Sequence, residues 1–435
     1  MDSKKILLVT TFFYPQNRIP VLRIGQWAKY WALEGHEVTV LTTEKYPFEG
    51  PLGLDVLLSK SIKVIEIDYL PKFLKKILIK KPGTQKISKE ACAKGSNIKK
   101  IVRDMRKYLG SLLDIHDLWI KQATKKALKL CRINNYDCVI SSYSPPAVHI
   151  VAQKIKKLHP NIIWIADFRD LWAYNHLQHA KGLLGVYEKY KERRILRCAD
   201  VLITVSDPLT EKMKKYYPNK KIVTIENGFD EEQFPLWKKN IKKKKLLGDK
   251  LVITYTGTIY DGKMDPRPLF RACNELIDEN FIKKENLSIC FYGNNTNELS
   301  SLINKYNYNK YSIIELKGFV SRKQSLLVQK NSDLLLFLEW NDPYAKGILT
   351  GKLFEYLVSG VPILAVGVNH SHSASKLIED TRTGKLFLNV SEIKNFLVEI
   401  FLSKEFTFEP DIKMIDTFSR CNQARKVMDL VNRGC

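Results

Sequence analysis

Thr350, Gly351 and Lys352, followed three residues on by Glu355, form the group in this sequence whose types and spacing point to the most definite chemistry. A loop of small residues ends at Thr350-Gly351 and opens a stretch of helical periodicity. The first N–H groups of a helix have no partner inside it, and with the helix dipole they make an anion site. Glycine at 351 lets a phosphate approach the backbone closely, and Lys352 adds a full positive charge. Leu353, Phe354, Leu357 and Val358 make one apolar stripe and leave Lys352, Glu355 and Ser359 on another face. Glu355 then sits about one turn from the anion site, where a carboxylate can accept from both vicinal hydroxyls of a ribose. The competing reading is a plain amphipathic helix with a Lys352–Glu355 surface pair worth roughly 0.2–0.5 kcal/mol.

Asp167-Phe168-Arg169-Asp170-Leu171-Trp172 is the second group. It follows the strand-like run Ile162 to Ala166, so it lies at a strand's carboxyl end. Two carboxylates around one guanidinium are costly unless the charges are paired or used. Asp167 or Asp170 is therefore expected to touch substrate hydroxyls, with Arg169 orienting one of them. The alternative is an Arg–Asp network that only holds the loop. Ser144, beside Pro145 and Pro146, ends a strand on the same edge and is expected to shape the acceptor side. In the loop from Thr10 to Arg23, Phe12-Phe13-Tyr14-Pro15 reads as packing, whereas Asn17, Arg18 and Arg23 are placed to reach a phosphate or an acceptor. His36 and His149 read as structural. No D-x-D follows an apolar strand and no His/Cys/Asp cluster has ligand spacing, so no metal is expected. The eight cysteines include no C-x-x-C pair.

The elements that position these groups repeat one grammar. Ile6 to Val9, Glu37 to Leu41, Cys138 to Ile140, Ile162 to Ala166, Val201 to Val205 and Ile222 to Ile225 read as buried parallel strands. Leu22 to Leu33, Ala147 to Leu158 and Val186 to Cys198 read as helices between them. A second series follows: strands at Leu251 to Tyr255, Leu287 to Tyr292, Ile313 to Leu316, Asp333 to Leu338 and Pro362 to Val366, with helices at Pro268 to Ile277, near Ser325 to Gln329, and at Lys352 to Ser359. The fold class is therefore α/β, with two doubly wound Rossmann-like domains. Such sheets bind ligands beyond their strands' carboxyl ends, so a cleft between two of them is the expected site. The expected domains are 1–236 with a basic insertion at about 72–107, a linker at 237–249, a second domain at 250–411, and a helical segment at 412–435 that returns to the first domain. The first strand is not followed by G-x-G-x-x-G and no G-x-x-x-x-G-K-[ST] occurs, which disfavours ordinary dinucleotide and ATP sites.

The 435 residues carry a net charge of +25. Between Lys72 and Lys107 there are thirteen lysines and arginines against Glu90 and Asp104, interleaved with Phe73, Leu74, Ile77, Leu78 and Ile79. Basic plus apolar residues at near-helical spacing suit an anionic membrane surface; a lysine-rich solvated insertion is the alternative. No apolar run approaches the roughly 20 residues of a membrane span, and the start of the chain does not read as a secretory leader. The expected location is cytoplasmic, peripheral at the cytoplasmic face of the inner membrane, with no nucleic-acid partner.

The chain resembles glycosyltransferase family 4, of GT-B fold, most closely its bacterial surface-polysaccharide branch. The residues that carry the resemblance are Gly35-His36-Glu37-Val38-Thr39-Val40, Ala166 to Trp172, Asp200 to Ser206 with Asn227-Gly228-Phe229-Asp230, Tyr255-Thr256-Gly257-Thr258-Ile259-Tyr260, and Lys352 to Pro362. The resemblance implies a retaining transferase that moves a sugar from a nucleotide-diphospho-sugar to a glycan or an undecaprenyl-diphosphate-linked acceptor, as in O-antigen or capsule assembly, without a cofactor. It implies that Glu355 contacts the donor ribose, and it puts Gly257, Thr258, Lys263 and Val320 with Thr350, Gly351 and Lys352 on the nucleotide and diphosphate. It also places Asp167, Arg169 and Asp170 at the reacting centre. Two departures stand out: Gly347 occupies the place of a sugar-binding glutamate, and Thr258 that of a phosphate-binding arginine. A sugar-nucleotide epimerase on the same architecture and an inactive relative acting as a binding protein are the alternatives.

Overall fold

The computed structural model describes residues 2–54, 61–78, 112, 114–175, 180–235, 237–240, 244–245, 248–260, 262–293, 296–342, 346–367, 370–403, 405–406 and 408–433. Most of the basic 72–107 segment lies outside these residues. The chain divides into two compact units, Met1–Glu226 with Gln423–Cys435, and Asn227–Asn422.

The first unit is built on seven parallel strands: β1 (Lys5–Val9), β2 (Glu37–Thr43), β3 (Ile62–Ile67), β4 (Cys138–Tyr143), β5 (Ile163–Phe168), β6 (Val201–Thr204) and β7 (Lys221–Thr224), in the order β3-β2-β1-β4-β5-β6-β7. Ile6 to Val9 on central β1 are fully buried, as a strand covered on both faces requires. Edge strand β3 is only half-buried. Its alternating Lys-Val-Ile-Glu pattern has no apolar run, so it is absent from the strands expected above.

In the second unit, a two-residue pair, β8 (Lys244–Lys245) with β15 (Glu405–Phe406), flanks a second parallel sheet. That sheet contains β9 (Leu251–Thr256), β10 (Leu287–Tyr292), β11 (Ile314–Gly318), β12 (Leu334–Leu338), β13 (Ile363–Val366) and β14 (Gly384–Phe387), in the order β11-β10-β9-β12-β13-β14. The two orders are the same series from edge to edge, the first sheet being one strand longer. In each the order reverses beside the first strand, between β1 and β4 and between β9 and β12. Crevices for ligands form beyond the carboxyl ends at such reversals.

The boundaries shift from those expected. Residues 227–236 belong to the second unit, because Phe229 and Trp237, 5.2 Å apart between ring centres, pack with Phe354, Leu357 and Phe418. Ile415 and Phe418 join that same core, so the return to the first unit begins at Gln423 rather than at 412. There Trp31 donates to the Ala424 carbonyl at 2.9 Å and Arg425 pairs with Glu34, fixing the last helix to helix Ile19–Leu33.

Candidate active site

Helix Gly351–Val358 follows β12 and sits at the order reversal of the second sheet. Leu353, Phe354, Leu357 and Val358 are buried and hold it against the core. Tyr356 adds a polar anchor, accepting from the Thr256 N–H at 3.0 Å at the end of β9. These contacts fix the start of the helix beside the loop after β9. Gly257 in that loop has φ +126°, a region that favours glycine, and a Cβ there would stand 3.6 Å from the Lys352 Nζ. Gly293 after β10 must also be small: a Cβ would fall 2.0 Å from the Gly257 oxygen.

Lys352 lies at this junction. Its Nζ is 3.7 Å from the ring centre of Tyr255 and 5.9 Å from that of Tyr356. Burial pushes its pKa down to about 7, with the Glu355 charge pulling the other way. The ring faces attract the ammonium but do not replace its lost hydration, so an arriving anion would stabilise its charge. Thr350, at the N-cap, has a buried hydroxyl with no hydrogen-bond partner, and no side chain caps the helix. Gly351 and Thr350 are part-buried. Together they present free N–H groups, an unused hydroxyl and a cation.

Glu355 does not pair with Lys352. Its Oε1 lies 2.7 Å from Arg322 Nη1, and the same guanidinium donates twice to Gln233 Oε1, at 3.2 and 2.9 Å. Arg322 is absent from the residues expected above, because nothing in local spacing links it to Glu355. It opens helix Arg322–Lys330 just after Val320, whose place near the site is thereby set by that loop. Thr258 offers its backbone carbonyl to the Tyr255 hydroxyl at 2.9 Å. The Lys263 ammonium is paired with Asp342, so a diphosphate would have to compete with that carboxylate for it. Glu339, at the end of β12, is also absent from the expected site. It is buried and accepts from the Ser375 hydroxyl at 3.0 Å. His372 lies beside it, buried, with Nε2 unpartnered.

The first unit treats its expected residues differently. Asp167 and Arg23 are both buried: Asp167 Oδ1 lies 2.9 Å from Arg23 Nη2, and the other oxygen accepts from the Ser142 hydroxyl at 2.7 Å. Arg23 spends its remaining donors on the Ile225 and Glu226 carbonyls and stacks over Trp27 at 4.2 Å. Neither side chain can reach a substrate. The loop-holding network weighed for Asp167 exists, with Arg23 in place of Arg169 as its cation.

Arg169 stays nearer the surface. Its Nη2 donates weakly to the Ser144 carbonyl at 3.4 Å, and its buried Nε has no partner. It lies 5.8 Å from the centre of the Phe12 ring, and Arg18 lies 5.5 Å from that ring. Phe12 therefore joins two cations rather than merely packing. Asp170, Asn17 and Arg18 are exposed. His116 also meets Phe12, at 6.3 Å. Despite burial, Asp114 and Glu49 raise its pKa to about 9, so it is protonated at neutral pH. No motif marks His116; only the fold brings it to this edge.

Among the described residues, no group of three or more His, Cys, Asp or Glu is arranged to hold a metal ion, and no helix is long and apolar enough to cross a membrane.

Residues 95–233 match the family model of Glycosyltransferase Family 4. No curated protein sequence matches the chain. A glycosyltransferase from Rickettsia africae ESF-5 has a similar structure, with a TM-score of 0.60 and 13% identity over 100% of this chain and 99% of that one. A lipopolysaccharide outer core galactosyltransferase in its apo form aligns with a TM-score of 0.55 and 12% identity, over 99% of this chain and 100% of that one. The UDP-GlcNAc 2-epimerase of Methanocaldococcus jannaschii aligns with a TM-score of 0.52 and 12% identity, over 99% of each chain. The fold is that of the GT-B glycosyltransferases, with two Rossmann-like domains. Within that class, residues 95–233 are similar to Glycosyltransferase Family 4.

Proposed function

We propose that the chain transfers a glycosyl group, with retention of configuration, from a nucleoside-diphosphate sugar to a glycan or a lipid-diphosphate-linked acceptor in surface-polysaccharide assembly. The observation that carries the donor half is the start of helix Gly351–Val358: a desolvated Lys352, an unpartnered Thr350 hydroxyl, and Glu355 within one turn. The diphosphate would take the helix N–H groups, the Thr350 hydroxyl and the Lys352 ammonium. Glu355, held by Arg322, would accept from the ribose hydroxyls. As the donor bond breaks, charge grows on the diphosphate, and donors fixed in advance stabilise that charge without reorganising. Lys352 and the helix dipole supply the positive potential, so no metal is required.

The acceptor half is assigned to the edge of the first unit, where Arg18 and Arg169 flank Phe12 and Asp170 is exposed. Two guanidinium groups suit a phosphorylated acceptor. Position 347 is a glycine, so the sugar of the donor depends on other groups; Glu339, which follows β12, and His372 beside it are buried candidates. The location assigned is the cytoplasmic face of the inner membrane, without a nucleic-acid partner.

A calorimetric panel of nucleoside diphosphates and their sugars tests the donor reading. Binding of at least one member, weakened about 10- to 100-fold in Glu355→Ala, is expected. No binding across the panel would overturn it. Because an epimerase shares the fold, the donor is also incubated alone: an epimerised donor without acceptor would replace transfer with epimerisation.

A further inference from the structure

Helix Gly182–Leu196 of the first unit inverts the usual partition of side chains. Its two carboxylates face inward. Glu188 is fully buried and accepts from the Ala180 N–H at 2.9 Å. Glu192 is also buried and accepts from the Ala173 N–H and the Tyr217 hydroxyl. In its first two turns the large apolar side chains face outward, while Ile195 and Leu196 at its end are buried. Leu183 is 88% exposed, Val186 64%, Tyr187 55%, Tyr190 58% and Leu184 43%. Leu183, Val186, Tyr187 and Tyr190 recur at three- and four-residue steps, so they share one face. A single exposed leucine is ordinary. Five large apolar residues on two turns form a patch of the kind that marks an interaction surface.

The charge around the patch selects its occupant. Lys181, Lys189, Arg193, Arg194 and Arg197 are exposed, and the exposed positions from 181 to 197 include no acid. A second copy of this chain would bring the same cations face to face, on a molecule already at +25. An anionic lipid surface offers what the helix lacks: apolar depth for Leu183 and Val186, a headgroup layer for Tyr187 and Tyr190, and negative charge for the flanking cations.

We propose that the outward face of helix Gly182–Leu196 seats this protein on an anionic membrane surface. The seat deepens the membrane placement proposed above and rests on it. It is distinct from the basic 72–107 segment, and it holds or fails independently of sugar transfer. Through Glu188 and Glu192 the same helix holds the backbone at Ala180 and Ala173, in the chain segment that follows Arg169 and Asp170.

The test is flotation of the full chain with phosphatidylcholine vesicles, with and without phosphatidylglycerol, in the absence of any donor. The wild type is expected to float with the anionic vesicles only. The variant Leu183→Ser/Val186→Ser/Tyr190→Ser should partition at least about tenfold more weakly. Arg193→Glu/Arg194→Glu should lose about tenfold as well, and its loss should shrink in high salt. The substituted side chains are exposed, and an unchanged urea-unfolding profile in both variants would confirm an intact fold. A wild type that stays in solution with anionic vesicles, or an apolar variant that floats equally well, overturns the proposal. So does a wild-type dimer in size exclusion that becomes monomeric in the apolar variant, since it would give the face to a second copy. Vesicle binding without any donor affinity would instead overturn the transfer reading and leave the seat standing.

Discussion

The carboxyl edges of the two parallel sheets carry similar residues and dispose of their charge in opposite ways. On the first sheet, Arg23 and Asp167 are buried together, and every polar contact between them and their surroundings is made within the protein. On the second, Lys352 has two aromatic faces and a helix start, beside a Thr350 hydroxyl without a partner. Strand order is the same in both, so topology does not cause the difference. A buried charge that finds its counter-charge within the chain has become architecture. A cation left short of charge at a strand-order reversal is poised for a ligand. The contrast also runs within the first unit, where Arg23 is sealed and Arg169 keeps an unpartnered Nε.

The largest effect should come from breaking the sealed pair. Asp167→Ala strands the Arg23 charge and is expected to cost about 3–5 kcal/mol in urea unfolding. The double variant Arg23→Met/Asp167→Leu should recover most of that loss, because no unpaired charge remains. If Asp167→Ala unfolds like the wild type but cannot transfer sugar, Asp167 returns to the reacting centre.

Lys352→Met should do the reverse. It removes a desolvated cation, so stability should hold or rise. Affinity for a nucleoside-diphosphate sugar should fall about 10- to 100-fold, the equivalent of a charge-assisted hydrogen bond of roughly 1.5–3 kcal/mol. A variant that loses stability and keeps affinity would make Lys352 architectural too.

Thr350→Val is a smaller probe. The hydroxyl has no partner to lose in the folded chain, so unfolding should be unchanged while affinity drops about fivefold, near 1 kcal/mol. Equal affinity would remove the hydroxyl from the donor site.

Lys263→Ala should matter least. Its ammonium is engaged by Asp342 in a partly exposed pair, worth about 0–1 kcal/mol, and affinity should stay within about twofold. A loss of tenfold or more would show that Lys263 leaves Asp342 for the ligand.

The doubly wound fold was legible because the central strands are continuous apolar runs: Ile6 to Val9 and Leu334 to Leu338 have no other easy explanation. Edge strands β3 and β14 were not, since polar residues interrupt their apolar pattern: Lys63 and Glu66 in β3, Lys385 in β14. The Thr350-Gly351-Lys352 helix start was legible for a local reason, because capping and periodicity act within one turn. The partner of Glu355 was not, because Arg322 arrives from another helix. The pairing of Asp167 failed likewise: Arg169 is its neighbour in sequence, but the guanidinium that meets it comes from helix Ile19–Leu33. His116 has no local signature, and its charge depends on Asp114 and on distant Glu49.

The most direct test of the central claim is the pH dependence of nucleoside-diphosphate-sugar binding, because the phosphates of such a donor do not themselves titrate near neutrality. In the free protein Lys352 titrates at about 7; a bound diphosphate would hold it protonated and move that value upward. Affinity should therefore be flat below about pH 7 and fall by up to about tenfold per unit above it, as binding must take up a proton. Calorimetry at pH 8.5 in buffers of differing ionisation enthalpy should register close to one proton taken up per donor bound, and none in Lys352→Met. Affinity that is level from pH 6 to 9, or a proton uptake that persists in Lys352→Met, would contradict the assignment of Lys352 to the donor phosphates.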